Sequence, residues 1–241
     1  MNGPAFSRTV GNVSGKKVLD IGCGEGYTSR LLSKAGAEVT GVDISDGLIE
    51  AALKEEERRT MGIEYIAADA ADLSFLESSS FDLVTCYMAM MDVQDYERAI
   101  SEASRVLKKG GKFVIVMEHP CFTTYRILNG ETVSGWETCI NEDGNKEYLY
   151  YWIKEYFRSH SYTSVWKHDR LPGSFKTTGF HRPLSDYANS LVKNGFVITG
   201  LDEPKPMEEG VRVHPPMSKH YKVPQSIVIE AMKIKDDELS C

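Results

Sequence analysis

Through the first half of this sequence, apolar runs of strand length alternate with stretches of helical period. That rhythm constrains the fold more than any other feature, because repeated βαβ units build a parallel sheet covered by helices on both faces. KKVLDI (16–21) reads as a short buried strand. GYTSRLLSKAG follows, with Tyr27, Leu31 and Ala35 four apart, Leu32 beside them and Gly36 as a stop, so the spacing predicts a helix opening at the glycines. EVTGVD (38–43) is the next strand. Asp46 is placed to cap a helix that carries Leu48, Ile49, Ala52 and Leu53 and ends near Gly62, with Glu50 and Lys54 one turn apart. IEYIA (63–67), FDLVTC (81–86) and GKFVIVM (111–117) supply three further strands. Between the last two, Asp95 caps a helix with Tyr96, Ala99, Ile100, Ala103, Val106 and Leu107 on its apolar face, and Lys108 and Lys109 close it before Gly110.

After Met117 the rhythm breaks. Residues 119–182 hold 13 of the 24 aromatic residues and four of the six histidines, which marks an insertion. Within it, EYLYYWIKEYF (147–157) and HSYTSVWKH (160–168) predict an antiparallel hairpin turning at Arg158 and Ser159. Pro183 then opens the helix PLSDYANSLVKNG, and FVITGLDEP (196–204) and QSIVIEAMKI (225–234) are the final strands. The tail DDELSC is expected to fray. The expected organisation is a doubly wound α/β core formed by 1–118 and 183–241, with 119–182 inserted as a substrate lid.

The longest uninterrupted apolar run, Phe113 to Met117, is far below the roughly 20 residues of a membrane span. The first 18 residues contain no apolar stretch of a secretory signal, so a cytoplasmic location is expected and no membrane partner. A formal net charge of −7 repels a phosphate backbone and argues against nucleic acid. Five cysteines (Cys23, Cys86, Cys121, Cys139 and Cys241) are odd in number and form no C-x-x-C pair. They read as reduced thiols, and no metal site is expected.

VLDIGCGEG (18–26) sets Gly22, Cys23, Gly24 and Gly26 between a strand and a helix, where missing Cβ atoms let a ligand come close to the backbone. A glycine turn alone says little. Asp20 within it suits a ligand with an ammonium group better than a pyrophosphate, and a dinucleotide fingerprint would need glycine where this chain has Tyr27. Asp43, at the end of the next strand, is placed to accept both hydroxyls of a ribose. Asp69, after the third strand, can accept from an exocyclic adenine amine. Taken singly, Asp43 and Asp69 read as caps or loop acids, as do Asp46, Asp72 and Asp92. Jointly, three acids at three successive strand ends line one crevice and describe a ligand with an amine, a ribose and an adenine.

VLDIGCGEG, GVDIS (41–45), ADAADL (68–73), FDLVTCYMAMMDV (81–93) and RVLKKGGKFVIV (105–116) resemble, in order and spacing, the successive motifs of the class I S-adenosylmethionine-dependent methyltransferases. The resemblance covers residues 16–117. It implies a Rossmann-like, doubly wound, mostly parallel seven-stranded sheet and the cofactor S-adenosyl-L-methionine, leaving S-adenosyl-L-homocysteine as product. It further implies that Asp20 faces the methionine amine through water, that Gly22 and Gly24 pass under the amino acid moiety, and that Asp43 holds the ribose. Ile44 would pack on the adenine, Asp69 take its amine, Ala70 offer a backbone amide to a ring nitrogen, and the Cys86 carbonyl meet the ammonium. Only 16 residues precede the first strand, where family members often carry a longer helical cover. Either the insertion supplies the lid or the site is more open.

The expected activity is methyl transfer to an oxygen or nitrogen of a small molecule. CYMAMMDV lacks the N-P-P-Y type loop of nucleobase methyltransferases, and Met88, Met90 and Met91 suit a helix core more than a substrate wall. His119 and His181, at the two ends of the insertion, are candidate bases for the acceptor's proton, and Glu118 is a candidate substrate ligand. Each has an equally ordinary structural reading. His160 and His168 read as surface residues of the hairpin. The aromatic insertion suits an apolar or cationic acceptor pocket, a second small core, or a homodimer contact. A nicotinamide-dependent oxidoreductase and a non-catalytic S-adenosylmethionine-binding protein are the alternatives.

Overall fold

Every residue from Phe113 to Met117 is fully buried, and successive side chains enter two different cores. Phe113, Ile115 and Met117 join one cluster and Val114 and Val116 the other, so this strand is covered on both faces. The computed structural model describes residues 2–122, 127–128, 131–167 and 174–234. In chain order the core begins with α1 (Asn2–Val10), β1 (Lys17–Ile21), α2 (Tyr27–Lys34), β2 (Glu38–Asp43), α3 (Asp46–Arg58), β3 (Glu64–Ala67) and β4 (Phe81–Tyr87). A 3-10 turn (Met90–Asp92), α4 (Tyr96–Val106) and β5 (Leu107–Glu118) follow. After three short strand pairs the core resumes with α5 (Leu184–Lys193), β12 (Phe196–Asp202), α6 (Glu208–Val213), a 3-10 segment (Pro215–Tyr221) and β13 (Ser226–Lys233).

The expected sheet is present: seven strands in the order β12-β13-β5-β4-β1-β2-β3, parallel except for β13, which runs antiparallel to both of its neighbours. Residues of α1, α2 and α3 pack on one face and residues of α4 and α5 on the other. The order reverses between β1 and β4, so the crevice for a ligand lies outside the carboxyl ends of these strands. Among the described residues no helix is long and apolar enough to cross a membrane.

Several local expectations need correction. Ser45 rather than Asp46 caps α3, its hydroxyl accepting from the Leu48 amide. Leu107 to Gly110 extend β5 rather than close α4. The aromatic runs at 147–157 and 160–168 do not pair with each other. β8 (Ser134–Ile140) pairs with β9 (Lys146–Ile153), and β10 (His160–Lys167) with β11 (Ser174–His181), while β6 (Ile127–Leu128) pairs with β7 (Glu131–Thr132). The turn at Asn141 to Asn145, closed by backbone bonds in both directions, gives β9 a nearer partner than β10. His168 and the tail from 236 lie outside the described residues. The first 16 residues are not a bare lead-in, because α1 seats Ala5, Phe6 and Val10 in the core.

One buried cation ties β13 to the junction of α4 and β5. Lys233, at the end of β13, donates from Nζ to the carbonyls of Ser104 (2.7 Å) and Leu107 (3.0 Å), at the C-terminus of α4, where the helix dipole favours positive charge. Lys233→Met should lower stability by about 2 kcal/mol, since two buried carbonyls lose charge-assisted bonds. A urea midpoint equal to that of the parent protein would contradict this.

Candidate functional site

The glycine turn is bound to β2 by backbone bonds from Gly22 and Cys23 to the Val42 carbonyl (2.8 and 3.0 Å). Gly22 has φ +67°, and a Cβ there would lie 2.3 Å from the Ala89 Cβ, so only glycine lets the turn lie against the segment after β4. At Gly24 (φ +58°) a Cβ would meet nothing within 4 Å, which leaves open space above the backbone. Gly26 precedes α2 as its N-cap. The Cys23 side chain points inward, buried in the core with Val39 and Tyr65, so it brings only its backbone to the turn.

Asp43 organises the centre of the crevice. One of its oxygens accepts the Gly24 amide at 2.8 Å and the other the Ser45 amide at 2.9 Å. Each carboxylate oxygen can accept a second bond, so two further donors such as vicinal hydroxyls can be held. Ile44 beside it is 73% exposed, an apolar side chain left in water at a strand end. Asp69 is exposed and fixed by the Ala71 amide, and Ala70 is buried behind it. Cys86 is fully buried between β1 and β5, its thiol pushed up by burial, so only its backbone can face the crevice.

Asp20 lies beneath the turn. It is 1% exposed, with its oxygens accepting from the Ser29 hydroxyl (2.7 Å) and the Thr85 hydroxyl (2.8 Å). Burial outweighs these bonds and raises it from 3.8 to about 6, with Asp43 adding to the rise. The folded state therefore holds more protons than the unfolded one between about pH 4 and 6, and stability falls as pH rises through that window. Asp20→Asn should remove that slope and raise stability above pH 6 by up to about 3 kcal/mol. Melting curves from pH 4 to 8 check this, and an unchanged slope would refute it.

The candidate catalytic residues divide. Glu118 and His181 border a small cavity together with Met91, Tyr162, Phe180 and Arg182. His181 is buried and donates from Nε2 to the Tyr156 carbonyl (2.7 Å). His119 is 3% exposed, accepts the Cys121 amide at Nδ1, donates from Nε2 to Glu203 (2.8 Å) and packs against the tilted ring of Phe122. Both of its ring nitrogens are occupied. His160 pairs with His181 across β10 and β11, its Nδ1 bonded to the Arg158 carbonyl. Arg182 is buried between the Tyr96 and Phe180 rings and donates to the Val93 and Gln94 carbonyls, fixing the chain just beyond the 3-10 turn.

That turn ends in Asp92, which reads as a cap in the sequence. It is open to solvent, yet enough protein crowds it that desolvation, then Glu118, then Asp43 push it up to about 7. A carboxylate poised there can take or release a proton near neutrality. No local pattern marks it, because its surroundings come from the ends of β2 and β5.

Residues 19–115 match the methyltransferase domain family. A demethylmenaquinone methyltransferase of Renibacterium salmoninarum is 38% identical over 123 residues, 51% of this chain and 50% of the relative. A ubiquinone biosynthesis O-methyltransferase of Coxiella burnetii is 37% identical over 113 residues, 47% of this chain and 48% of the relative. The match thus spans about half the length of these curated relatives. Along nearly the whole chain, the fold is similar to an S-adenosylmethionine-dependent methyltransferase from Mesorhizobium loti (TM-score 0.73, 27% identity, covering 95% of this chain and 96% of that one). A Listeria monocytogenes protein is similar to the same degree (TM-score 0.75, 26% identity, 96% of each chain).

Proposed function

Because this chain belongs to the class I S-adenosylmethionine-dependent methyltransferase family, we propose that it moves a methyl group from S-adenosylmethionine to an oxygen or nitrogen of a small molecule. The observation that carries this reading is the cradle at the end of β2. Asp43 is fixed by two backbone amides with acceptor capacity to spare, Gly24 leaves free space above it, and Ile44 stands exposed beside it. Those features fit a ribose and an adenine face. When bound, S-adenosylmethionine supplies a methyl group activated by a positive sulfur.

The chain's own work is to bind, orient and manage a proton. Asp43 accepts the ribose hydroxyls, Ile44 covers the adenine, and Asp69 and the Ala70 amide meet its edge. Gly22 and Gly24 let the amino acid moiety lie on the backbone. Asp20 and the Cys86 carbonyl favour the ammonium group, Asp20 through its field from beneath the turn. Asp92 takes the acceptor's proton. Residues of 119–182, which supply Pro120, Tyr162, Phe180, His181 and Arg182 to the smaller cavity, shield the transfer from water, which strengthens alignment and the electrostatics of transfer. The quinone-related names of the curated relatives make ring-bearing acceptors the first to screen.

Calorimetric titration tests the reading. S-adenosylmethionine and S-adenosylhomocysteine should bind saturably and NADH should not. Binding of NADH alone would replace this function with an oxidoreductase, and cofactor binding without methyl transfer to any acceptor would leave only a binding protein.

A further inference from the structure

Two cavities flank the strand ends, and they differ in room and chemistry. The one bordered by Glu118, His181 and Arg182 has a volume of about 10 Å³, room for about one water and far below the roughly 300 to 1,000 Å³ of pockets that take small molecules. The other has a volume of about 440 Å³, within that range. Its walls are Tyr27, Tyr87, Met88 and Met217, with Asn2, Gln225 and Ser226 at its polar side, and none of its lining residues is charged at neutral pH.

This larger cavity is built from residues next to the cofactor motifs. Tyr27 directly follows Gly26, Tyr87 and Met88 directly follow Cys86, and Ser226 is the register partner of Glu118. Its walls are set in advance. Tyr87 is braced edge-on by Phe6 at 5.2 Å. Met88 is held at φ +57° with its amide on the Val116 carbonyl, and its sulfur accepts from the Asn2 side chain at 3.5 Å. Asn2 also accepts the Ser226 hydroxyl at 2.5 Å, so α1 is fastened across the opening. Tyr27 is 60% exposed.

Rings and thioethers present flat, polarisable surface, which suits a planar molecule, and the uncharged polar groups beside them suit one with polar ring substituents. A charged group seated there would lose hydration without gaining a counter-ion from the walls. Resting on the methyltransferase reading, we infer that the methyl acceptor is an uncharged aromatic molecule held against Tyr27, Tyr87, Met88 and Met217, with Gln225 bonding to its ring substituents.

Three probes of similar size and different charge test this: 4-methylcatechol (neutral), dopamine (cationic) and 3,4-dihydroxybenzoate (anionic). Each is titrated calorimetrically into protein saturated with S-adenosylhomocysteine. The neutral probe should bind at least about tenfold more tightly than either charged one. Met217→Asp should weaken it about tenfold, Met217→Leu should retain it, and both should keep the affinity for S-adenosylhomocysteine. Equal or tighter binding of a charged probe, no binding of any probe, or indifference to Met217→Asp overturns the inference. So does a Met217→Asp variant that loses S-adenosylhomocysteine, because the cavity would then belong to the cofactor. Failure of the parent protein to bind S-adenosylhomocysteine is a different result, and it removes the methyltransferase reading itself.

Discussion

Asp43→Ala will bind S-adenosylmethionine at least about a hundredfold more weakly than the parent protein. Two hydrogen bonds from ribose hydroxyls to a carboxylate, each contributing about 1.5 kcal/mol, account for that much. A second effect adds to it. The same carboxylate fixes the Gly24 and Ser45 amides, so its removal also releases the turn on which the amino acid end of the cofactor lies. Asp43→Asn, which keeps one acceptor, should fall between the two. Calorimetry measures the affinities, and a thermal melt of each variant separates lost binding from lost fold. Parent-like affinity in a folded Asp43→Ala protein would remove Asp43 from the site.

The second large effect is expected at Asp92. As proton acceptor it works in the ionised form, and its surroundings raise it to about 7. Turnover should therefore rise with pH through neutrality and level off above it, the opposite of a group that acts as an acid. Asp92→Asn cannot accept the proton and should lower kcat about a hundredfold with the rising limb abolished. A limb that survives the substitution would transfer the role to Glu118 or His181, which share the smaller cavity. Because pH moves cofactor binding as well, the profile is to be taken at saturating S-adenosylmethionine.

The parallel strands were legible because each is short, apolar and bounded by turn residues, and burial on both faces leaves a continuous run such as FVIVM that nothing else explains. The cofactor acids were legible for a related reason: strand ends are local features, and the topology brings them together once the order of the sheet is known. Pairing inside the insertion was not. Arg158 and Ser159 look like a turn only until the Asn141 to Asn145 loop is recognised as a stronger one. The helix α1 was hidden by Gly3 and Pro4, residues that weaken a helical pattern but are tolerated in a first turn. Asp92 was out of reach of any local rule, since its neighbours Asp43 and Glu118 lie on strands far away along the chain.

The position of β13 also bears on how the molecule assembles. It lies between β5 and β12, and its first residue pairs with Glu118 across more than a hundred residues of intervening chain. Among the described residues β12 meets the sheet only through β13, so it cannot join before β13 has paired with β5. Contacts so remote in sequence are closed late, because the entropy of closing the loop is lost before any contact compensates it. Until then β5 presents an open edge with its apolar side chains uncovered, and the interval before the last pair docks is when this chain is most exposed to association with its own copies.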